Sequence, residues 1–188
     1  MILALIIALV LLFSVRRVFF MKAQEREMIF VPVSAHLVVD DSGYYTSARN
    51  EQEVITLVDM ANKIWSQAGI AFSLERVETT HLSFATIPDA INNNVSEISL
   101  YVQGKGVHLF FTQSLNGLNG LTLKDINTVL IADDSRAQGY RTVAHELGHV
   151  LGLKHVSFPQ SLMAQGERGE LLSEEEIVAA REAAKKLG

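Results

Sequence analysis

One short run, AHELGHVLGLKH at residues 144–155, constrains the folding of this chain more than any other feature of its 188 residues. On a helix, residues four apart stand one turn above each other, so His145 and His149 project their rings from one face toward a common point. Glu146 is turned about a hundred degrees further round the axis, which sets its carboxylate beside that point instead of on it. A carboxylate there can accept a proton from a metal-bound water. One more turn of the same helix would carry a third ring away, so the chain must break and turn back. Gly152 tolerates the left-handed conformation that a sharp turn needs, and His155 then swings beneath the first two rings. Three neutral imidazoles with an open fourth position describe a catalytic zinc site, because a structural site closes with a fourth protein ligand. These residue types at these spacings arise by chance in roughly one shuffled sequence per 10⁴ to 10⁵.

Composition narrows the alternatives. The chain has no cysteine, which excludes a disulfide framework, a thiolate zinc site, a cysteine nucleophile and any latency device built on a cysteine ligand. With 48% hydrophobic residues, 20% charged residues and a net charge of -5, it has neither the composition of a disordered chain nor the basic footprint of a nucleic-acid binder. No nucleic-acid partner is expected.

The N-terminus, MILALIIALVLLFSVRRVFFMK, carries no charged side chain before Arg16. With Arg16 and Arg17 snorkelling toward head groups, the apolar stretch runs to Met21 and reaches roughly 30 Å, a full hydrocarbon thickness. Residues 1–22 are therefore expected to form an uncleaved single-pass membrane anchor, and 23–188 a single domain. Secretion after signal cleavage is the alternative, but a signal peptide carries its positive charge before the apolar run, and here the charges follow it. Arg16, Arg17, Lys22 and Arg26 all lie on the C-terminal side, so the positive-inside rule favours a cytoplasmic domain, against the expectation for a secreted-type enzyme. The side is left open.

The rest reads as alternating strands and helices. MIFVPVSAHLVV (28–39) suits a first strand, with Pro32 near its start. From Glu51, Val54, Leu57, Val58, Ala61, Ile64, Trp65 and Ala68 recur at three- and four-residue spacing, which predicts an amphipathic helix closed by Gly69. IAFSLERVE follows as strand two. The polar stretch 81–106 is expected to be loop with one short helix. VHLFFT and TVLIAD suit buried strands, and QSLNGLNGLTL between them suits an irregular edge strand. The tail LSEEEIVAAREAAKKL predicts a terminal helix with Ser173 as N-cap and Glu176 completing the box. The fold class expected is α/β, with a mostly parallel sheet.

HELGHVLGLKH resembles the extended zinc signature of the metzincin metalloproteases. That family also has a methionine turn beneath the metal, and SLM at 161–163 is similar to it. Met163 follows His155 by eight residues, an interval like that of the matrixin branch. The strand, helix and strand of the first half also resemble the upper domain of the metzincin fold. The resemblance implies a twisted, mostly parallel sheet with an antiparallel edge strand, an active-site helix, a methionine turn and a C-terminal helix. It implies one catalytic Zn2+ held by His145, His149 and His155, with Glu146 as general base, and hydrolysis of peptide bonds. An extended peptide or protein substrate is expected to pair with the edge strand near 114–123, with specificity set by the active-site helix and 156–165. This chain departs from matrixins in having Val156 where serine is usual, and Ala164 and Gln165 where tyrosine and proline are usual.

Other residues receive plainer readings. Asp133 and Asp134 are candidates for calcium, but better suited to solvating a strand end or capping the next helix. His36, His81 and His108 are isolated in sequence and expected to have surface or satisfied core roles. Trp65 is expected in the core. The rival to an endopeptidase is a catalytically silent, membrane-tethered zinc-binding or interaction module.

Overall fold

The structure is a computed structural model that describes residues 27–134, 139–166 and 168–188. The expected anchor, residues 1–22, lies outside the described residues. Among those described, no helix is long and apolar enough to cross a membrane.

Strand β1 (Ile29–Asp40) leads to helix α1 (Glu51–Trp65), then to strand β2 (Ile70–Leu82). A short helix α2 (Thr86–Ile91) and a 3₁₀ turn at Ile98–Tyr101 precede strands β3 (Val107–Thr112), β4 (Gly120–Leu123) and β5 (Thr128–Ala132). Helices α3 (Gly139–Val150) and α4 (Glu174–Ala184) follow. The five-stranded sheet has the order β2-β1-β3-β5-β4. β2, β1, β3 and β5 pair in parallel, and β4 pairs antiparallel with β5, as the edge reading of 114–123 requires. Asn127 takes the left-handed conformation that lets β4 return into β5 within a few residues.

The local signals explain most element ends. Asn50 caps α1 in a box completed by Glu53, and Ser173 caps α4 in a box completed by Glu176. A 3₁₀ turn at Ser66–Ala68 extends α1 before Gly69 closes it at φ 61°. Pro32 sits inside β1, a central strand, yet costs little there because the pairing with β3 begins only at Val33.

The sheet is covered on both faces, which is why β3 and β5 are buried at every position. On one face α1, α3 and α4 pack Val54, Val58, Trp65, Val143, Leu147, Ile177 and Ala180 against Val33, Leu109 and Ile131. Trp65 is fully buried, as expected, and its indole N–H donates to the Ala144 carbonyl at 3.2 Å, tying α1 to α3. On the other face Ile87, Ala90 and Ile98 pack on Val38, Phe110 and Leu130. The stretch 81–106, expected as loop with one short helix, thus also supplies this second apolar layer. β2 runs on to Leu82, further than the sequence suggested.

Candidate metal centre

Helix α3 lies across the edge of the sheet, beside β4, and carries His145, Glu146 and His149. It ends as expected. The Leu153 N–H reaches back to the Gly148 carbonyl at 2.9 Å and the Gly152 N–H to the His149 carbonyl at 3.0 Å, with Gly152 at φ 83°. No atom would crowd a β-carbon at Gly152, so the glycine is required by the backbone conformation and not by space. The chain then turns under the helix, and the Val156 N–H bonds the Met163 carbonyl at 3.1 Å, which brings His155 below the other two rings.

The three rings meet. Nε2 of His155 lies 3.2 Å from Nε2 of His145 and 3.0 Å from Nε2 of His149. Two imidazoles bound tetrahedrally at 2.0–2.1 Å would hold their nitrogens about 3.3 Å apart, so the spacing suits one small cation. The opposite nitrogens set the tautomers. Nδ1 of His145 donates to the Leu162 carbonyl at 2.7 Å, and Nδ1 of His149 to the Leu153 carbonyl at 2.9 Å. Each proton is thereby kept on Nδ1, and each Nε2 lone pair faces the shared point. Nδ1 of His155 meets the Gln165 side-chain amide at 3.2 Å. The side-chain amide nitrogen faces Nδ1; an amide turned end for end would offer its oxygen instead, keep the proton on Nδ1 and leave the His155 Nε2 lone pair facing the shared point.

Electrostatics favours neutral ligands. Burial lowers the His145 pKa to about 4, with the charges of His149, Arg141 and His155 adding to the effect and the Leu162 hydrogen bond opposing it. Burial also lowers His149 and His155, helped by Lys124 in both cases. An imidazole that resists protonation remains available to a metal. A convergent set of nitrogen donors, held by carbonyl acceptors and kept neutral, fits zinc.

Glu146 is almost fully buried beside the triad, and burial raises its pKa while the Thr122 hydroxyl and His155 oppose the rise. Together with His145 and His155 it lines a cleft of about 340 Å³ between Leu118–Gly120, α3 and Ala164–Gly166. Of the segment 156–165, only its last two residues reach this cleft wall.

Met163 is fully buried under α3. A β-carbon at Gly148 would lie 2.5 Å from its sulfur, so the helix glycine between His145 and His149 leaves room for the methionine floor. Two participants were missed in sequence. Arg141, one turn before His145 on the same face, is buried and donates to the carbonyls of Gly169, Leu162 and Ala164 at 2.8, 3.0 and 3.1 Å. Thr122 on β4 donates toward Glu146. The spacing Arg141, His145, His149 was a readable signal of a shared face; nothing in the sequence marked Thr122.

Away from the centre, Asp133 joins the end of β5 to the loop before α1. It accepts from Ser47 Oγ at 2.8 Å and the Ala48 N–H at 2.7 Å, and pairs with Arg49 at 2.7 Å. His36 and His108, isolated in sequence, adjoin in space: His36 Nε2 lies 3.0 Å from His108 Nδ1, both rings being buried. His81 is exposed.

The comparisons agree with this architecture. Residues 40–175 match the family model described as Matrixin. Among solved structures, a metalloproteinase-II from Bacteroides fragilis is similar at 16% identity and TM-score 0.53, covering 85% of this chain and 55% of that one. An archaemetzincin from Methanopyrus kandleri is similar at 12% identity and TM-score 0.54, covering 84% of this chain and 96% of that one. A chain described as a chaperone-substrate complex is similar at 14% identity and TM-score 0.62, covering 86% of this chain and 35% of that one. This chain thus spans about a third and about half of the lengths of the chaperone-complex chain and the Bacteroides enzyme. A search of curated proteins found no match. With the family model running from the end of β1 through α3 to the start of α4, and the histidine triad inside its span, the chain belongs to the matrixin family.

Proposed function

We propose that the protein is a zinc-dependent endopeptidase in which His145, His149 and His155 hold the metal and Glu146 is the general base. The observation that carries this reading is the juxtaposition of three convergent Nε2 atoms with a buried carboxylate, His145, His155 and Glu146 lining one open cleft. Zinc, when bound, supplies Lewis-acid polarisation of the scissile carbonyl and a water of lowered pKa. Glu146 takes a proton on its carboxylate and returns it to the leaving amine; its burial raises its basicity toward the range useful near neutral pH. The reading has no acyl-enzyme. An extended peptide adds to β4, the last strand of the sheet among the described residues, so that backbone hydrogen bonds hold the substrate in register. The same reading keeps residues 1–22 as a membrane anchor.

The test is proteolysis of a broad peptide library by the zinc-loaded protein, with chelator and zinc re-addition, alongside Glu146→Gln. The variant should keep its zinc while turnover falls by roughly 10² or more, in the range of general acid-base groups. Equal turnover removes Glu146 as the base. A wild type that holds zinc and cleaves nothing makes the protein a silent zinc-binding module.

A further inference from the structure

Thr122 lies on the edge strand, one residue pair from the hairpin end, with Val129 opposite it. Its hydroxyl stands 2.6 Å from Oε2 of Glu146 and 3.1 Å from the Glu146 carbonyl. The shorter distance falls in the range of a charge-assisted O–H···O⁻ bond. That carbonyl is within the helix, so the proton has most to gain at the carboxylate. Gly120, two residues earlier, faces the same side of the strand. A β-carbon there would come within 2.7 Å of Cγ and 3.0 Å of Oε1 of Glu146, and within 3.0 Å of Cγ2 of Thr142. One face of β4 therefore treats the Glu146 side chain in two ways: the hydroxyl at 122 ties one carboxylate oxygen, and the bare backbone at 120 leaves room for the stem and the other.

We propose that Thr122, with Gly120 beside it, is a positioning residue for Glu146, so that the strand expected to receive substrate also aims the base. The inference rests on the endopeptidase reading above. Oε2 is anchored to the strand, and Oε1 is left over Gly120, which lines the cleft with His145 and His155. A carboxylate held by one oxygen spends less of its time in unproductive rotamers, and the free oxygen is the one that exchanges protons. Because the anchor lies on the strand itself, a substrate that straightens β4 by pairing with its outer edge acts on the base through the same two residues.

The experiment compares wild type, Thr122→Val, Thr122→Ser and Gly120→Ala as full-length zinc-loaded proteins, measuring kcat, KM, zinc per chain and melting temperature. Valine keeps the branched shape and suits a strand, so zinc content and melting should stay near wild type. Loss of a hydrogen bond to a charged group should lower kcat about tenfold with KM changed by less than about twofold. Serine should recover most of that loss. Gly120→Ala, whose backbone is unstrained, should lower kcat by pushing the base aside. Added to Glu146→Gln, Thr122→Val should cost nothing more. A Thr122→Val enzyme with wild-type kcat, or one that loses as much activity in the Glu146→Gln background, overturns the inference alone. A wild type that holds zinc and cleaves no peptide overturns the endopeptidase reading and this inference with it.

Discussion

Acidification should weaken the fold through a histidine that has no part in the metal centre. His36 is fully buried on β1, stacked on Phe110 at 4.1 Å and 7° and on His108 at 5.3 Å. Its Nδ1 faces Thr80 Oγ1 at 2.9 Å and Glu78 Oε1 at 3.2 Å, while Nε2 meets His108. Burial, then the charges of His108 and Arg76, lower its pKa from 6.5 to about 3; Glu78 is half exposed and does not reverse this. A folded pKa below the unfolded one means that the unfolded chain binds the extra proton. Stability is therefore full above about pH 6.5 and declines as pH falls toward 3. At pH 5.5 the unfolded residue is ten parts protonated to one neutral while the folded one stays neutral, which costs about 1.4 kcal/mol. For a domain of this size that is about 3–6 °C of melting temperature. The assay is thermal unfolding of metal-free wild type and His36→Phe at pH 7.5 and 5.5. Phenylalanine can occupy the stack on Phe110, and its absolute stability does not matter, because the readout is the change with pH. Wild type should lose about 3–6 °C more than the variant on acidification. Equal losses would refute the assignment of a buried neutral His36.

His149→Ala should retain little of the roughly one zinc per chain expected of wild type, measured by metal analysis after gel filtration; full retention would remove His149 from the ligand set. Gly148→Ala should be destabilised by about 1 kcal/mol or more despite the better helix propensity of alanine, since its β-carbon meets the Met163 sulfur, and a rise in melting temperature would contradict the packing. Membrane association should survive carbonate washing and vanish on deletion of residues 1–22; a soluble mature form beginning near Gln24 would instead identify a cleaved signal.

Periodicity and spacing made the helix-carrying residues legible. His145, Glu146, His149 and Gly152 were readable because helical geometry fixes what lies four residues away, and the capped ends of α1 and α4 because caps are local. The apolar runs of β3 and β5 gave buried strands, since both faces are covered. What escaped depends on contacts across long sequence separations. The pairing of His36 with His108 spans 72 residues and that of Thr122 with Glu146 spans 24, so no local pattern encodes either. The segment 81–106 was read through its asparagines and glycines, and its buried Ile87, Ala90 and Ile98 are too sparse to form a period. Asp133 was read through the helix that follows, whereas its partners come from the loop some 85 residues earlier.

The Leu162 carbonyl accepts from both His145 Nδ1 and Arg141 Nη2, at 2.7 and 3.0 Å. One oxygen thus splices the helix that carries His145 and His149 to the return segment that carries Met163 and leads back from His155. Among the described residues, that segment makes the isolated bridges Val156 to Ala164 and Ser161 to Leu171 in place of a continuous ladder. Were zinc held at the triad, withdrawal of the Nε2 lone pairs would strengthen the His145 Nδ1 donor and so couple the metal centre to the return segment through Leu162. Amide hydrogen exchange in residues 162–171 then becomes a gauge of metal occupancy, and substitutions at Arg141 and His145 should combine non-additively because they draw on the same acceptor.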